Sequence, residues 1–212
     1  MVFLKTNIDE LPRKEREKRF RRSEILSAAV PLFAEKGYEN TTIDDIAEKA
    51  EFGKGTIYNY FGSKEDIYWG ILEEIFQSYY ESLQEIDKQN AKFYDFMMEL
   101  TYRLFEFCVN NRYSFIMVTR HRTNVTQQSS KPPKTLIDYQ KNVDAILKKR
   151  IERALKANEI NKIDISSFIT LYRSMVFPYI YNQMFCNKTD KFDLKCESRL
   201  LVDILFNGIK KS

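Results

Sequence analysis

"FGKGTIYNYFGSKED", residues Phe52 to Asp66, contains three of the chain's six glycines: Gly53, Gly55 and Gly62. They surround a run holding a lysine, a threonine, an asparagine and two tyrosines. Glycine is costly wherever the backbone must be ordered, so its concentration beside hydrogen-bonding side chains needs a reason. A phosphate loop, a turn between helices and a nucleic-acid contact surface would each supply one. The phosphate loop fails on spacing. It requires G-x-x-x-x-G-K-[ST] after a strand, whereas Lys54 is followed by Gly55 and preceded by a helical stretch.

Upstream, Thr41 and Thr42 precede "IDDIAEKA", in which Ile43, Ile46, Ala47 and Ala50 keep the spacing of a two-turn helix. Thr42 with Asp45 three residues on has the form of a capping box. After Glu51-Phe52-Gly53 comes "KGTIYNYF", again about two turns long. Two short helices joined by so tight a turn read as a helix-turn-helix, whose second helix enters the DNA major groove. In that reading Gly53 serves the turn and Gly55 allows close approach to DNA. Ile57 and Phe61, four apart, face inward. Lys54, Thr56, Tyr58, Asn59 and Tyr60 are left on the outer side, where such groups reach phosphates and base edges. Ser63 followed by Asp66 marks a fresh helix start.

Before this core, Ile25, Ala28, Ala29, Leu32 and Phe33 form an amphipathic stripe that Gly37 ends. Pro31 lies within the stripe and predicts a kink rather than an end, since the stripe continues. "RKEREKRFRR", Arg13 to Arg22, holds seven basic and two acidic residues. Met1 to Lys64 as a whole is nearly neutral, with 12 basic and 11 acidic residues. A basic arm is present, then, but not a basic domain.

Downstream the pattern stays helical. Ile67, Ile71, Leu72, Ile75, Phe76, Tyr79 and Leu83 form a stripe from about Lys64 into the middle 80s, and Phe93, Phe96, Met97, Leu100, Leu104 and Cys108 form another. A shorter helix covers Tyr113 to Thr119. The polar stretch Arg122 to Pro133, ending in a double proline, is a loop. Leu136, Val143, Ile146, Leu147, Ile151 and Leu155 resume the helical spacing. Asp164 caps a helix through Ile180 that Pro178 should kink, and Leu194 to Gly208 make the last. No segment alternates with period two. The expected fold is all-α, with about nine helices.

Composition excludes several classes. The net charge of +4, 43% hydrophobic and 30% charged residues suit a water-soluble globular chain. Cys108, Cys186 and Cys196 are widely spaced and His121 is the single histidine, so no metal-ligand spacing, disulfide framework or catalytic constellation can be assembled. No cofactor motif appears. There is no secretory signal at the N-terminus, and the most apolar window is broken by Arg173 and Pro178. A cytoplasmic protein without enzymatic function is expected.

Ile25 through Lys64, with "ILSAA…LFAEKGY", "TTIDDIAEKA", "GKGTIYNYF" and "SKED", resembles the N-terminal domain of the tetracycline-repressor (TetR/AcrR) family of transcriptional regulators. The resemblance implies a DNA-binding domain over residues 1–64 and an effector-binding and dimerisation domain over 65–212. It implies Thr42 as a phosphate contact. Lys54, Gly55, Thr56, Tyr58 and Asn59 would make groove and backbone contacts, and Tyr60 and Lys64 would grip phosphates. Arg19, Arg21 and Arg22 join this set from charge alone. Two departures stand out: Glu51-Phe52-Gly53 where members often have Gly-Val-Ser, and Pro31.

The resemblance further implies a homodimer through the last two helices, about Asp164–Phe185 and Asp193–Lys210, bound to a double-stranded palindromic operator. A small-molecule effector would release it, as a repressor. Candidate effector contacts are Phe105, Cys108, Phe115, Met117, Tyr139, Tyr172, Met175 and Tyr179, with Arg120 and a loop-exposed His121 for a polar or anionic group. So aromatic a set favours a hydrophobic or aromatic effector. The rival reading is a helical adaptor that binds protein rather than DNA, which would not require Lys54, Thr56, Asn59 and Lys64 to project together.

Overall fold

The computed structural model describes residues 12–123, 131–186 and 193–209. Within them the regular elements are helices: α1 (Arg13–Lys36), α2 (Ile43–Lys49), α3 (Lys54–Tyr60), α4 (Lys64–Lys88), α5 (Phe93–Asn110), α6 (Arg112–Thr123), α7 (Lys134–Lys156), α8 (Ile165–Phe185) and α9 (Leu194–Ile209). The all-α expectation holds. Most of the predicted loop at Arg122 to Pro133 lies outside the described residues. None of the described helices is long and apolar enough to cross a membrane.

The chain divides into two compact units, one through Ser78 with Asn111–Tyr139, the other of Tyr79–Asn110 with the residues from Gln140 onward. In the first, α1 packs on α2 and α6, and α2 on α3. The predicted stripe supplies its core: Ile25, Ala29 and Phe33 are buried with Ile46, Ala47, Ile57, Phe61 and Ile67. Helix α1 continues past Pro31, which does not end it, and starts twelve residues before Ile25, so the basic arm is its first three turns. Gly37 closes it at φ 82° and ψ 168°. That region is open essentially to glycine alone, which explains the residue more strictly than an ordinary left-handed cap.

Rings fill the space beyond. Phe33 stacks on Tyr38 at 5.9 Å between centroids, Tyr68 meets both edge-on, and Trp69 meets His121 edge-on at 5.5 Å. Such pairs contribute about 1 kcal/mol each beyond the area they bury.

In the second unit α5 packs on α8 and α9, which also touch each other. Phe93 lies within 6.2 Å of the rings of Phe96, Phe168 and Phe206. Among the polar groups inside, Thr101 Oγ1 lies 2.9 Å from Tyr172 Oη and donates to the Met97 carbonyl at 2.7 Å, whereas Arg150 Nε and Asp87 Oδ1, 3.6 Å apart, are buried without a hydrogen-bond partner. Arg150, 4% exposed, donates to the Ala91 carbonyl at 2.6 Å and lies over the Phe96 ring at 4.5 Å. Burial holds its pKa below the ordinary arginine value. Asp164 caps α8 as predicted, accepting from Ser167 N–H at 2.8 Å.

Candidate nucleic-acid interface

Helix α3 owes its position to backbone chemistry on both sides. At the start of α2, Thr42 forms a complete capping box: its hydroxyl accepts from Asp45 N–H at 3.1 Å, and its own N–H donates to Asp45 Oδ2 at 2.8 Å. Lys36 Nζ adds a bond to Asp45 Oδ1 at 2.8 Å. That bond first, then those from Thr42, hold the Asp45 carboxyl far below the usual carboxylate range.

At the other end of α2, Phe52 N–H donates to the Ala47 carbonyl at 2.9 Å and Glu51 N–H to the Glu48 carbonyl at 3.1 Å. These are the two bonds of a Schellman motif, whose left-handed residue is usually glycine. Here it is Glu51, at φ 56°. Sequence reading assigned the tight turn to Gly53, but Gly53 is extended, at φ −66° and ψ 145°, and is the N-cap of α3. The departure at Glu51 therefore falls on the one turn position that asks for φ above zero. A Cβ at Gly53 or Gly55 would meet nothing within 4 Å, so neither glycine is required by packing within the chain.

Ile57 is fully buried and Phe61 is 3% exposed, as their spacing predicted, and together they seat α3. The opposite face is open. Tyr58 is 49% exposed, Asn59, Lys54 and Gly55 are exposed, and Thr56 and Tyr60 are half-buried. Lys54 Nζ lies 2.9 Å from Asp44 Oδ1 on α2, and that hydrogen bond raises its pKa. An ion pair so exposed is weak in water, so a phosphate can replace Asp44. Sequence reading missed Asp44, because nothing local marks a pair ten residues apart.

Three cations in the predicted set also serve the fold. Lys64 Nζ donates to the Tyr38 carbonyl at 2.8 Å and the Glu39 carbonyl at 3.3 Å, and lies 4.4 Å over the Tyr38 ring. It fastens the segment after α1 to the start of α4, so Lys64→Glu would damage the domain as well as any phosphate contact. Arg22 is half-buried, 4.3 Å over the Phe61 ring, and a Cβ on Gly70 would come 2.9 Å from its Nη2. Arg21 is exposed, paired with Glu24 at 3.2 Å, and lies 5.3 Å over the Phe52 ring. Four residues along α4 from Gly70, Glu74 has its Oε2 buried without a hydrogen-bond partner. Burial pushes its carboxyl up to about 7, against the pull of Arg22.

The effector candidates fall in both units. Phe105, Cys108, Tyr172, Met175 and Tyr179 belong to the second, where the first three are buried, the Phe105 and Tyr179 rings stack at 6.3 Å, and Tyr179 Oη donates to Glu197. Burial raises both the Cys108 thiol and the Tyr172 phenol. Phe115, Met117, Arg120, His121 and Tyr139 belong to the first. Phe115 and Met117 are 1% exposed, Tyr139 half-buried and Arg120 exposed. His121 is not loop-exposed as expected: it lies in the last turn of α6 at 8% exposure, and burial lowers its pKa. A neutral imidazole brings no positive charge to an anion. Among the described residues no group of acidic, histidine or cysteine side chains could hold a metal ion.

A short helix with a polar open face, seated through a capped neighbour and a tight turn, defines a helix-turn-helix protein. Residues 25–69 match the family described as bacterial regulatory proteins, tetR family. The HTH-type transcriptional regulator HbdR of Aromatoleum sp. (strain CIB) is 46% identical over 69 residues, 32% of this chain but only 29% of that relative's length. The fatty acid metabolism regulator protein of Bacillus subtilis (strain 168) is 27% identical over 199 residues, 92% of this chain and 98% of its own. The crystal structure of the transcriptional regulator FadR from Bacillus subtilis, in complex with stearoyl-CoA, superposes with a TM-score of 0.67 at 25% identity, covering 88% of this chain and 98% of that one. Residues 25–69 therefore carry a DNA-binding domain like that of the tetR family, and the relatives matched over most of the chain are transcriptional regulators.

Proposed function

We propose that the chain acts as a homodimeric repressor, bound to a palindromic operator and released by a small hydrophobic effector. The observation that carries this reading is the open face of α3. Lys54, Tyr58 and Asn59 project from a helix whose other face is fixed by Ile57 and Phe61. One such helix buries too little surface for specific binding at physiological salt, so two copies on a two-fold site are required. Leu171 and Tyr181 on α8 and Leu200 and Ile204 on α9 are 58%, 41%, 47% and 54% exposed. Exposed apolar side chains on two neighbouring helices suit a four-helix bundle between copies. A regulator of transcription works beside the chromosome, in the cytoplasm.

We place the functional division at residues 1–64 and 65–212, so that α4, which begins at Lys64, opens the second part. The effector we infer is an acyl-CoA or a similar long-chain apolar acid derivative. The support is the full-length similarity to a fatty acid metabolism regulator and the likeness to a fold solved with stearoyl-CoA. Release needs only that the effector bind the DNA-incompetent spacing of the two α3 helices more tightly. Selection of bound fragments from random duplex DNA, followed by titration with stearoyl-CoA, tests the reading. A two-fold-symmetric sequence that stearoyl-CoA elutes is expected. No enriched sequence contradicts the operator reading, and an enriched sequence that stearoyl-CoA leaves bound contradicts the effector class alone.

A further inference from the structure

Helix α1 carries a row of cations of which the helix-turn-helix reading uses only Arg21. Positions 14, 18, 21 and 25 are spaced by four, three and four residues, which places them along one face of a helix. Ile25 on that row is fully buried in the domain core. Toward the N-terminus the same face leaves the core, and Arg21, Lys18 and Lys14 along it are exposed. The acids beside the row are taken up by other arginines: Glu17 pairs with Arg13 at 2.9 Å and Glu15 with Arg19 at 3.7 Å. Neither Lys14 nor Lys18 has an ion-pair partner among the described residues. Arg21 fixes where the row begins. Its guanidinium lies over the ring of Phe52, the residue directly before the N-cap of α3.

Resting on the DNA-binding reading above, we infer that Lys14 and Lys18 are backbone contacts to the duplex flanking the segment read by α3. From Lys14 to Lys18 and on to Arg21 the row is about 10 Å long, at about 1.5 Å per residue. Each strand of duplex DNA carries a phosphate charge for about every 3.4 Å of axis, so a row of that length spans about three phosphates of one strand beside the groove that α3 occupies. The contact is electrostatic and independent of base sequence. Its effect is to lengthen the footprint and steepen the salt dependence without changing the preferred sequence.

The test compares full-length wild type with Lys14→Gln/Lys18→Gln on two duplexes: the selected operator with flanks, and the same operator trimmed to its base-read core. On the long duplex the double variant should lower the slope of log K against log salt by about 1.8 per protomer, at about 0.9 per phosphate contact. On the trimmed duplex wild type and variant should coincide. Lys14→Arg/Lys18→Arg should restore the long-duplex slope. A variant that keeps the wild-type slope on the long duplex, or weakens binding equally on both, overturns the inference while leaving the operator reading in place. A wild type that binds neither duplex overturns both.

Discussion

The first and second compact units hold their helices by different means. In the first, short elements are set by backbone groups with named partners: the Thr42–Asp45 box, the Glu51 turn, the Gly37 end of α1 and the Lys64 bonds to the Tyr38 and Glu39 carbonyls. In the second, rings pack around Phe93 and Phe168 and side chains bond between elements, as Tyr94 Oη does to Asp203 Oδ1 at 2.7 Å. Directional bonds fix a residue at one position, as a surface that reads DNA requires. Packing of apolar rings is satisfied by many arrangements of similar volume.

If that contrast is right, the second unit should answer to volume and the first to conformation and charge. Phe168→Ala, which opens a fully buried site, should cost about 3–5 kcal/mol in denaturant unfolding, while a leucine there should recover much of the loss. Glu74 should give the first unit a pH signature. Its folded pKa of about 7 lies above the ordinary 4.5, so the fold binds the proton more tightly than the unfolded chain. The associated stability is fully present below about pH 4.5 and is lost as pH rises through about 7, with an upper bound near 3 kcal/mol. Glu74→Gln should therefore flatten the stability profile between pH 5 and pH 8; a variant with an unchanged profile would break this account of the buried carboxyl.

Two turn residues sharpen the comparison on a smaller scale. Gly37→Ala should destabilise by roughly 1–3 kcal/mol, because its backbone region is nearly closed to other residues. Glu51→Gly should stabilise by less than about 1 kcal/mol, as the relief of a left-handed glutamate is partly offset by a freer unfolded chain. Thermal melts of the two variants should move in opposite directions.

What could be read from the sequence follows the same division. Thr42 with Asp45, Ser63 with Asp66 and the cap at Asp164 were legible because a cap binds close by in sequence, whatever the tertiary fold; all three bonds are present. Ile57 and Phe61 were legible because a helix repeats its inner face every four residues. Glu51 was not, since a Schellman turn demands a left-handed residue and only favours glycine, so the nearby Gly53 drew the assignment. Lys64 reaches carbonyls 25 and 26 residues away, Lys54 reaches Asp44 ten residues away, and His121 is buried against Trp69 and Tyr68. None of those partners leaves a local pattern. The row at Lys14 and Lys18 was visible as charge, but only the burial of Ile25 and the place of Arg21 gave it a direction.

The central claim is that the open face of α3 reads base sequence, and the most direct measurement is discrimination by an α3 variant. Binding of wild type and Asn59→Ala is measured on the selected operator and on a scrambled duplex of equal length and salt. The account predicts that the variant loses about 1–3 kcal/mol on the operator while its binding to the scrambled duplex stays at the wild-type level. Equal binding of both proteins to the operator, or equal losses on both duplexes, would contradict it.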